Sequence, residues 1–235
     1  MTAGTVAQRR HIALHLAHRW FAFLEASGGD LDTHLAIFHP QVRLSGHRGQ
    51  HVFAKDHPTL VAWFAAVPDG ISSHHILHSV YQDMAGNGGR LGFLVAYQAP
   101  ADEGVHSSII SYETQVEFAP SGPRFVALDK TPILPNTRPD YETSWATNRV
   151  LALVHAELGG LGGSDDSLRT ALSDDVRQIA ALTAAPEGTR AYDALVTWID
   201  KSASPRVLHL ELQDDASATL PRLRTLPRHP SAAAI

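Results

Sequence analysis

Fifteen histidines in a chain of 235 residues without a single cysteine pose the first question. Imidazole changes charge near neutral pH, so it suits acid–base catalysis or metal ligation. Thiol nucleophiles, disulfides and cysteine-based zinc sites are excluded outright. His11, His15 and His18 are spaced i, i+4, i+7, which gathers them on one helix face and offers a two-histidine metal spacing. No acid completes a catalytic motif with them, and their face lies opposite the apolar stripe. The expectation is a solvated polar edge with no metal and no catalytic part.

A second group, His74, His75 and His78, falls in an alternating stretch. Period two puts His75, Leu77, Ser79 and Tyr81 on one face and His74, Ile76, His78 and Val80 on the other. If His75 points inward, His74 and His78 point outward to a partner surface. Tyr112 shares an apolar face with Thr114, Val116 and Phe118, where its hydroxyl suits carbonyl orientation or oxyanion stabilisation. His106, beside Gly104 at a strand start, is a further imidazole candidate. Asp129 follows a core strand and is an acid placed to orient a histidine.

The elements that must position these groups follow from hydrophobic period. Residues 10–26 read as an amphipathic helix with Ile12, Leu16, Trp20, Phe23 and Leu24 on its apolar face. A short helical stretch, 31–38, stops at Pro40, and 42–46 alternates as a strand before a polar loop. Asp56-His57-Pro58 opens another helix, with Asp at the cap and Pro in the first turn. Strands are then predicted over 74–83, 90–98, 107–118 and 125–128, separated by Gly- and Pro-rich turns. Three prolines in 131–141 suggest a linker, after which 145–158 is again helical.

Composition excludes several classes. Hydrophobic content of 44% supports a packed core, and a net charge of −5 gives no basic footprint for nucleic acid. No apolar run precedes a cleavage site or is long enough to span a bilayer, so a cytoplasmic location with no membrane partner is expected. No phosphate-binding loop is present, since Gly86-Asn87-Gly88-Gly89 precedes a strand, and no G-x-S-x-G elbow occurs.

The chain also echoes itself. Ile76-Leu77-His78-Ser79-Val80-Tyr81-Gln82-Asp83 is matched by Val207-Leu208-His209-Leu210-Glu211-Leu212-Gln213-Asp214. Leu60 and Trp63 match Leu195 and Trp198, Leu31 to Leu35 match Leu168 to Leu172, and Ile12, Leu16 and Trp20 match Val150, Val154 and Leu158. The separation, roughly 135 residues, is too long for a solenoid repeat and suggests two related domains. The expected division is a full domain over 1–140, a truncated copy over 141–215 and a C-terminal arm over 216–235. In the copy, a helix is expected over 191–199 and one strand over 207–213.

Several runs carry a family resemblance: the helix ending Leu24-Glu25-Ala26, Leu35-Ala36-Ile37-Phe38-His39-Pro40-Gln41-Val42, Gly49 with the helix to Trp63-Phe64, Ser73-His74-His75-Ile76, Tyr112 to Phe118, and Arg124 to Leu128. Together they resemble the nuclear transport factor 2-like (NTF2-like) superfamily in its SnoaL-like branch. The resemblance implies an α+β fold, with helices over a curved antiparallel sheet forming a cone around an apolar cavity. It implies a cofactor-independent enzyme doing acid–base chemistry on a small apolar substrate, by dehydration, isomerisation or cyclisation. The alternative it leaves open is a non-catalytic binding or assembly module. His75 occupies the cavity-histidine position of the dehydratase-like members, with Tyr112 orienting the substrate and Asp129 and His106 in support. Trp20, Phe64, Leu77, Tyr81, Thr114 and Val116 are then the expected substrate-binding wall. The family's known catalytic sets are each incomplete, the acid expected near the end of the first helix being replaced by Ala26-Ser27. The fused copy suggests an internal pseudo-dimer, with a homodimer also possible.

Overall fold

The structure is a computed structural model that describes residues 5–25, 30–67, 72–102, 104–137, 144–161, 167–172, 179–184, 191–199, 205–213, 220–225 and 231–232. The chain opens with helices α1 (Val6–Glu25) and α2 (Leu31–Leu35), strands β1 (Phe38–Gly46) and β2 (His51–Ala54), and helix α3 (His57–Ala66). Asp56 caps α3 by accepting from the Thr59 N–H, while the Thr59 hydroxyl takes the Asp56 N–H in return. This reciprocal capping box is why the helix starts where Asp56 and Pro58 predict. Four long strands follow: β3 (Ser73–Asp83), β4 (Gly88–Ala101), β5 (Gly104–Ala119) and β6 (Gly122–Thr137).

These strands form one six-stranded sheet in the order β2-β1-β6-β5-β4-β3. All pairings are antiparallel except β1 with β6, which run parallel. Bulges interrupt the β3–β4 and β5–β6 registers, and each bends its strand and increases the local twist. One face of the sheet takes α1 and its neighbours. The core there joins Leu16, Trp20 and Phe21 of α1 to Leu91, Phe93, Tyr112, Val116 and Leu128 of the sheet.

β1 begins at Phe38, four residues earlier than the alternation suggests, and β2 lies where a loop is expected. Pro40 fits because the β1–β6 register is irregular between Phe38 and Arg43, where no ladder donor is needed. β6 runs on through the proline-containing stretch to Thr137. β1 accompanies it only as far as Lys130, so Pro132 sits on a strand with one side unpaired.

The second half holds α4 (Trp145–Leu158), α5 (Ser167–Leu172), β7 (Ile179–Ala184), β8 (Ala191–Ile199), β9 (Pro205–Gln213), β10 (Arg222–Thr225) and β11 (Ser231–Ala232). Its sheet runs β10-β9-β8-β7, with β11 also on β9, and it has its own core around Val150, Leu168, Val196, Trp198 and Leu210. The expected helix over 191–199 is therefore a strand. Ala194, Val196 and Trp198 are buried while Asp193 and Leu195 are exposed, which is period two. The match of Leu60 and Trp63 to Leu195 and Trp198 thus pairs a helix with a strand and fails structurally. The stretch expected as an arm contributes β10 and β11.

Candidate active site

The phase of β3 decides which histidine faces the core. Ile76 opposes Val95 and His78 opposes Leu94, so Leu77 is an inserted, bulged residue. Before the bulge the inward residues are His74 and Ile76; beyond it Tyr81 is inward. One extra residue moves every subsequent side chain to the other face. His74 is buried, its ring stacked on Phe21 at 4.6 Å and tilted against Tyr97 at 5.1 Å. His75, the expected cavity histidine, therefore stands on the opposite face, half-buried. Leu77 is 58% exposed and stands outside the core, at the cleft between the halves.

His74 meets a carboxylate. Its Nδ1 lies 3.1 Å from Glu25 Oε1, at the last turn of α1, and the Glu25 side chain is wholly enclosed. The same oxygen takes the His74 backbone N–H at 2.6 Å and the Ser144 hydroxyl at 2.5 Å. Asn148 of α4 points its amide nitrogen at both Glu25 oxygens, 3.3 Å each, and donates to the His74 carbonyl at 2.9 Å. An imidazole whose Nδ1–H is held by a carboxylate keeps a bare Nε2, which is the arrangement of a positioned general base. Near the end of α1, where Ala26-Ser27 stands in place of the expected acid, the carboxylate beside His74 is Glu25, the last residue of the helix.

The network continues along the contact of α1 with α4. Asn148 uses its amide nitrogen on Glu25 and His74, so its oxygen accepts from His18 Nδ1 at 2.7 Å. His15 Nδ1 donates to the Ala152 carbonyl at 2.8 Å, and His11 Nδ1 lies 2.7 Å from His155 Nδ1. All four rings are buried, correcting the expectation of a solvated edge. The polar face of α1 is not turned to water because a second helix covers it. Burial lowers His11 and His18 to about 4 and His15 to about 3, with the Arg10 charge adding to the effect at His11. His155 is lowered too, first by burial and then by the histidines around it. These rings are neutral near pH 7. His155, Asn148 and Ser144 went unrecognised in the sequence, although 148, 152 and 155 repeat the i, i+4, i+7 spacing of 11, 15 and 18.

The remaining expected site residues do not converge. Tyr112 is buried between Phe21, edge-on at 5.4 Å, and Phe93, stacked at 5.0 Å, and burial raises its phenol. Phe21 thus touches both His74 and Tyr112 and fills the space between them. Thr114 donates its hydroxyl to the Leu91 carbonyl at 2.8 Å, and Val116 is core. Trp20 and Phe64 belong to an aromatic cluster with His34, Phe38 and Trp63. Tyr81 packs on the core with its hydroxyl on Asp83 at 2.9 Å. His106 is exposed at the start of β5. Asp129 orients no histidine. It accepts from Ser45 Oγ at 2.8 Å, Gly49 N at 2.6 Å, Arg48 N at 3.1 Å and Thr131 Oγ1 at 2.9 Å. Burial acts to raise its carboxyl, but these hydrogen bonds outweigh it and hold the group below its usual value.

A cleft of about 680 Å³ opens where the two halves meet. Leu14, Ile76, Leu151 and Trp198 line it, together with His11, His18 and His155. Among the described residues no three His, Asp or Glu side chains are grouped as metal ligands. No described helix is long and apolar enough to cross a membrane.

No protein-family profile matches this sequence, and no curated protein matches it. Among solved structures it is similar to a putative aromatic ring hydroxylase from Novosphingobium aromaticivorans (13% identity, 57% of this chain and 95% of that one, TM-score 0.49). It is likewise similar to LinA (10% identity, 57% and 93%, TM-score 0.48) and to the S. rosetta CaMKII hub (16% identity, 57% and 100%, TM-score 0.46). By their element order, their strand order and the helices packed on one face of the sheet, residues 6–137 have an α+β fold of the NTF2-like, cystatin-like kind.

Proposed function

We propose that the chain carries out cofactor-independent proton transfer on a small apolar molecule, of the dehydration, isomerisation or cyclisation type, with His74 as the acid–base group. The observation that carries this reading is the enclosed His74–Glu25 pair. Glu25 fixes the ring and its tautomer, so the proton to be moved is taken by Nε2. Tyr112 shares Phe21 with His74, Tyr97 packs on the His74 ring itself, and Phe21 is the residue a substrate displaces to reach both His74 and Tyr112. The expected outcome is loss of at least a hundredfold in turnover in His74→Ala and in His74→Asn, assayed against a panel of apolar ketones and alcohols. His75→Ala retains activity. Equal turnover in the His74 variants and the unaltered protein rejects the assignment.

The second reading, a binding or assembly module, draws support from the seam. His15 and Ala152 pair with each other and lie 137 residues apart. His11 and Asn148, and His18 and His155, have that same separation, yet the hydrogen bonds run crosswise, His11 to His155 and His18 to Asn148. Equivalent positions meeting reciprocally is the signature of an isologous two-fold interface. On this reading residues 145–225 act as an internal partner for residues 6–137, and the Glu25 network is the clasp between them.

A further inference from the structure

The cleft between the halves carries hydrogen-bonding groups whose donor and acceptor senses are fixed by their neighbours. Two Nδ1 atoms 2.7 Å apart, on His11 and His155, hold one proton between them, since neither nitrogen can donate to an N–H. The two rings are therefore in opposite tautomers. One offers its Nε2 as an N–H donor and the other offers a bare Nε2 acceptor, and both residues line the cleft. His18, which gives its Nδ1–H to Asn148, presents a further bare Nε2 from the same wall. Leu14, Ile76, Leu151, Ile179 and Trp198 supply the apolar part of the surface, Arg10, His78, Ser79 and Thr197 add further polar groups, and no Asp or Glu lines it.

We propose that this cleft binds an apolar carboxylic acid, aliphatic or aromatic, together with one proton. A carboxylic acid carries a carbonyl acceptor beside an O–H donor, which complements the donor and acceptor of the His11–His155 pair. If the acid arrives ionised, the bare imidazole nitrogen supplies the charge partner by taking a proton from water, and the count is the same: one acid anion and one proton enter. The charged and titratable groups facing the pair are Arg10, His15 and His18 from α1 and His78 from β3; β7 and β8 contribute Ile179, Ala180, Thr197, Trp198 and Ile199, none of which titrates. No group on these walls repels an anion. Burial holds both rings of the pair below the usual imidazole value, so they are neutral without ligand and the proton is acquired on binding. The site lies apart from the His74–Glu25 pair, and the proposal stands or falls independently of that pair's activity.

Calorimetric titration of the full chain with decanoate and with 2-naphthoate, between pH 6 and 8 and in two buffers of different ionisation enthalpy, tests this. The expected result is uptake of one proton per acid bound and a Kd for at least one probe that rises about tenfold per pH unit, with decan-1-ol binding at least tenfold more weakly and without pH dependence. The double variant H11N/H155N keeps the mutual hydrogen bond but loses both Nε2 atoms, and it is expected to lose the pH slope. The proposal is overturned by failure of both acids to bind, by a pH-independent Kd, or by a slope unchanged in a double variant that folds. Should that variant not fold, the proton count of the unaltered protein decides.

Discussion

Asp129 commits its carboxylate to the turn between β1 and β2. His47 and Arg48 there have φ of 53° and 58°, a left-handed conformation that costs non-glycine residues free energy, and Gly49 continues it at 79°. Hydrogen bonds from the Arg48 and Gly49 N–H groups offset that cost. Asp129→Ala is expected to lower stability by about 1–3 kcal/mol, the range for leaving such donors without a partner, when followed by urea denaturation. Turnover per folded molecule stays unchanged. A loss of activity without a loss of stability contradicts the purely structural role assigned here. At His74 a loss of turnover per folded molecule is expected on top of a loss of stability, since its ring is a partner of the enclosed Glu25 carboxylate.

At the scale of elements, the contact between α1 and α4 gathers His11, His15, His18 and His155 in one buried seam. Gly159 allows the close approach, because a Cβ there lies 2.6 Å from Ile12 Cγ1. The seam makes stability pH-dependent with a definite sign. His11, His15 and His18 have folded-state values of about 4, 3 and 4, below the 6.5 of a free histidine. The unfolded chain therefore binds protons first, and their contribution is complete above about pH 6.5 and lost as the pH falls toward 4. Each such ring contributes a slope of up to about 1.4 kcal/mol per pH unit within that window. Thermal unfolding from pH 8 to 4.5 is expected to show a level Tm down to about pH 6.5 and a steady fall below it, reduced in His15→Leu. A Tm flat across that range contradicts a neutral, buried seam.

For the whole molecule, two cores and two sheets share one seam of hydrogen-bonded side chains. Ser144 and Asn148 of the second half satisfy Glu25 and His18 of the first. Removing them leaves the buried Glu25 carboxylate with His74 alone and the buried His18 imidazole without its Asn148 acceptor, which is costly. Cleavage within residues 138–143 is accordingly expected to leave the halves associated on gel filtration. Residues 1–137 expressed alone are expected to unfold at lower denaturant than the full chain. Clean separation after cleavage, with the first half as stable as before, excludes the internal-partner reading.

Sequence by itself determined the helices and the four-strand run of the first half, because each carries its own period, cap or turn chemistry. It also exposed the clustering of His11, His15 and His18 on one face. Tertiary structure alone decided what that face meets, since a polar stripe looks the same whether water or a second helix covers it. The choice of His74 over His75 was equally out of reach. A single bulged residue, Leu77, shifts the alternation, and it shows only in the register with β4. The same limit turned 191–199 from an expected helix into a strand: Leu195 and Trp198 are compatible with either period, and only the neighbours β7 and β9 select the one that buries Trp198.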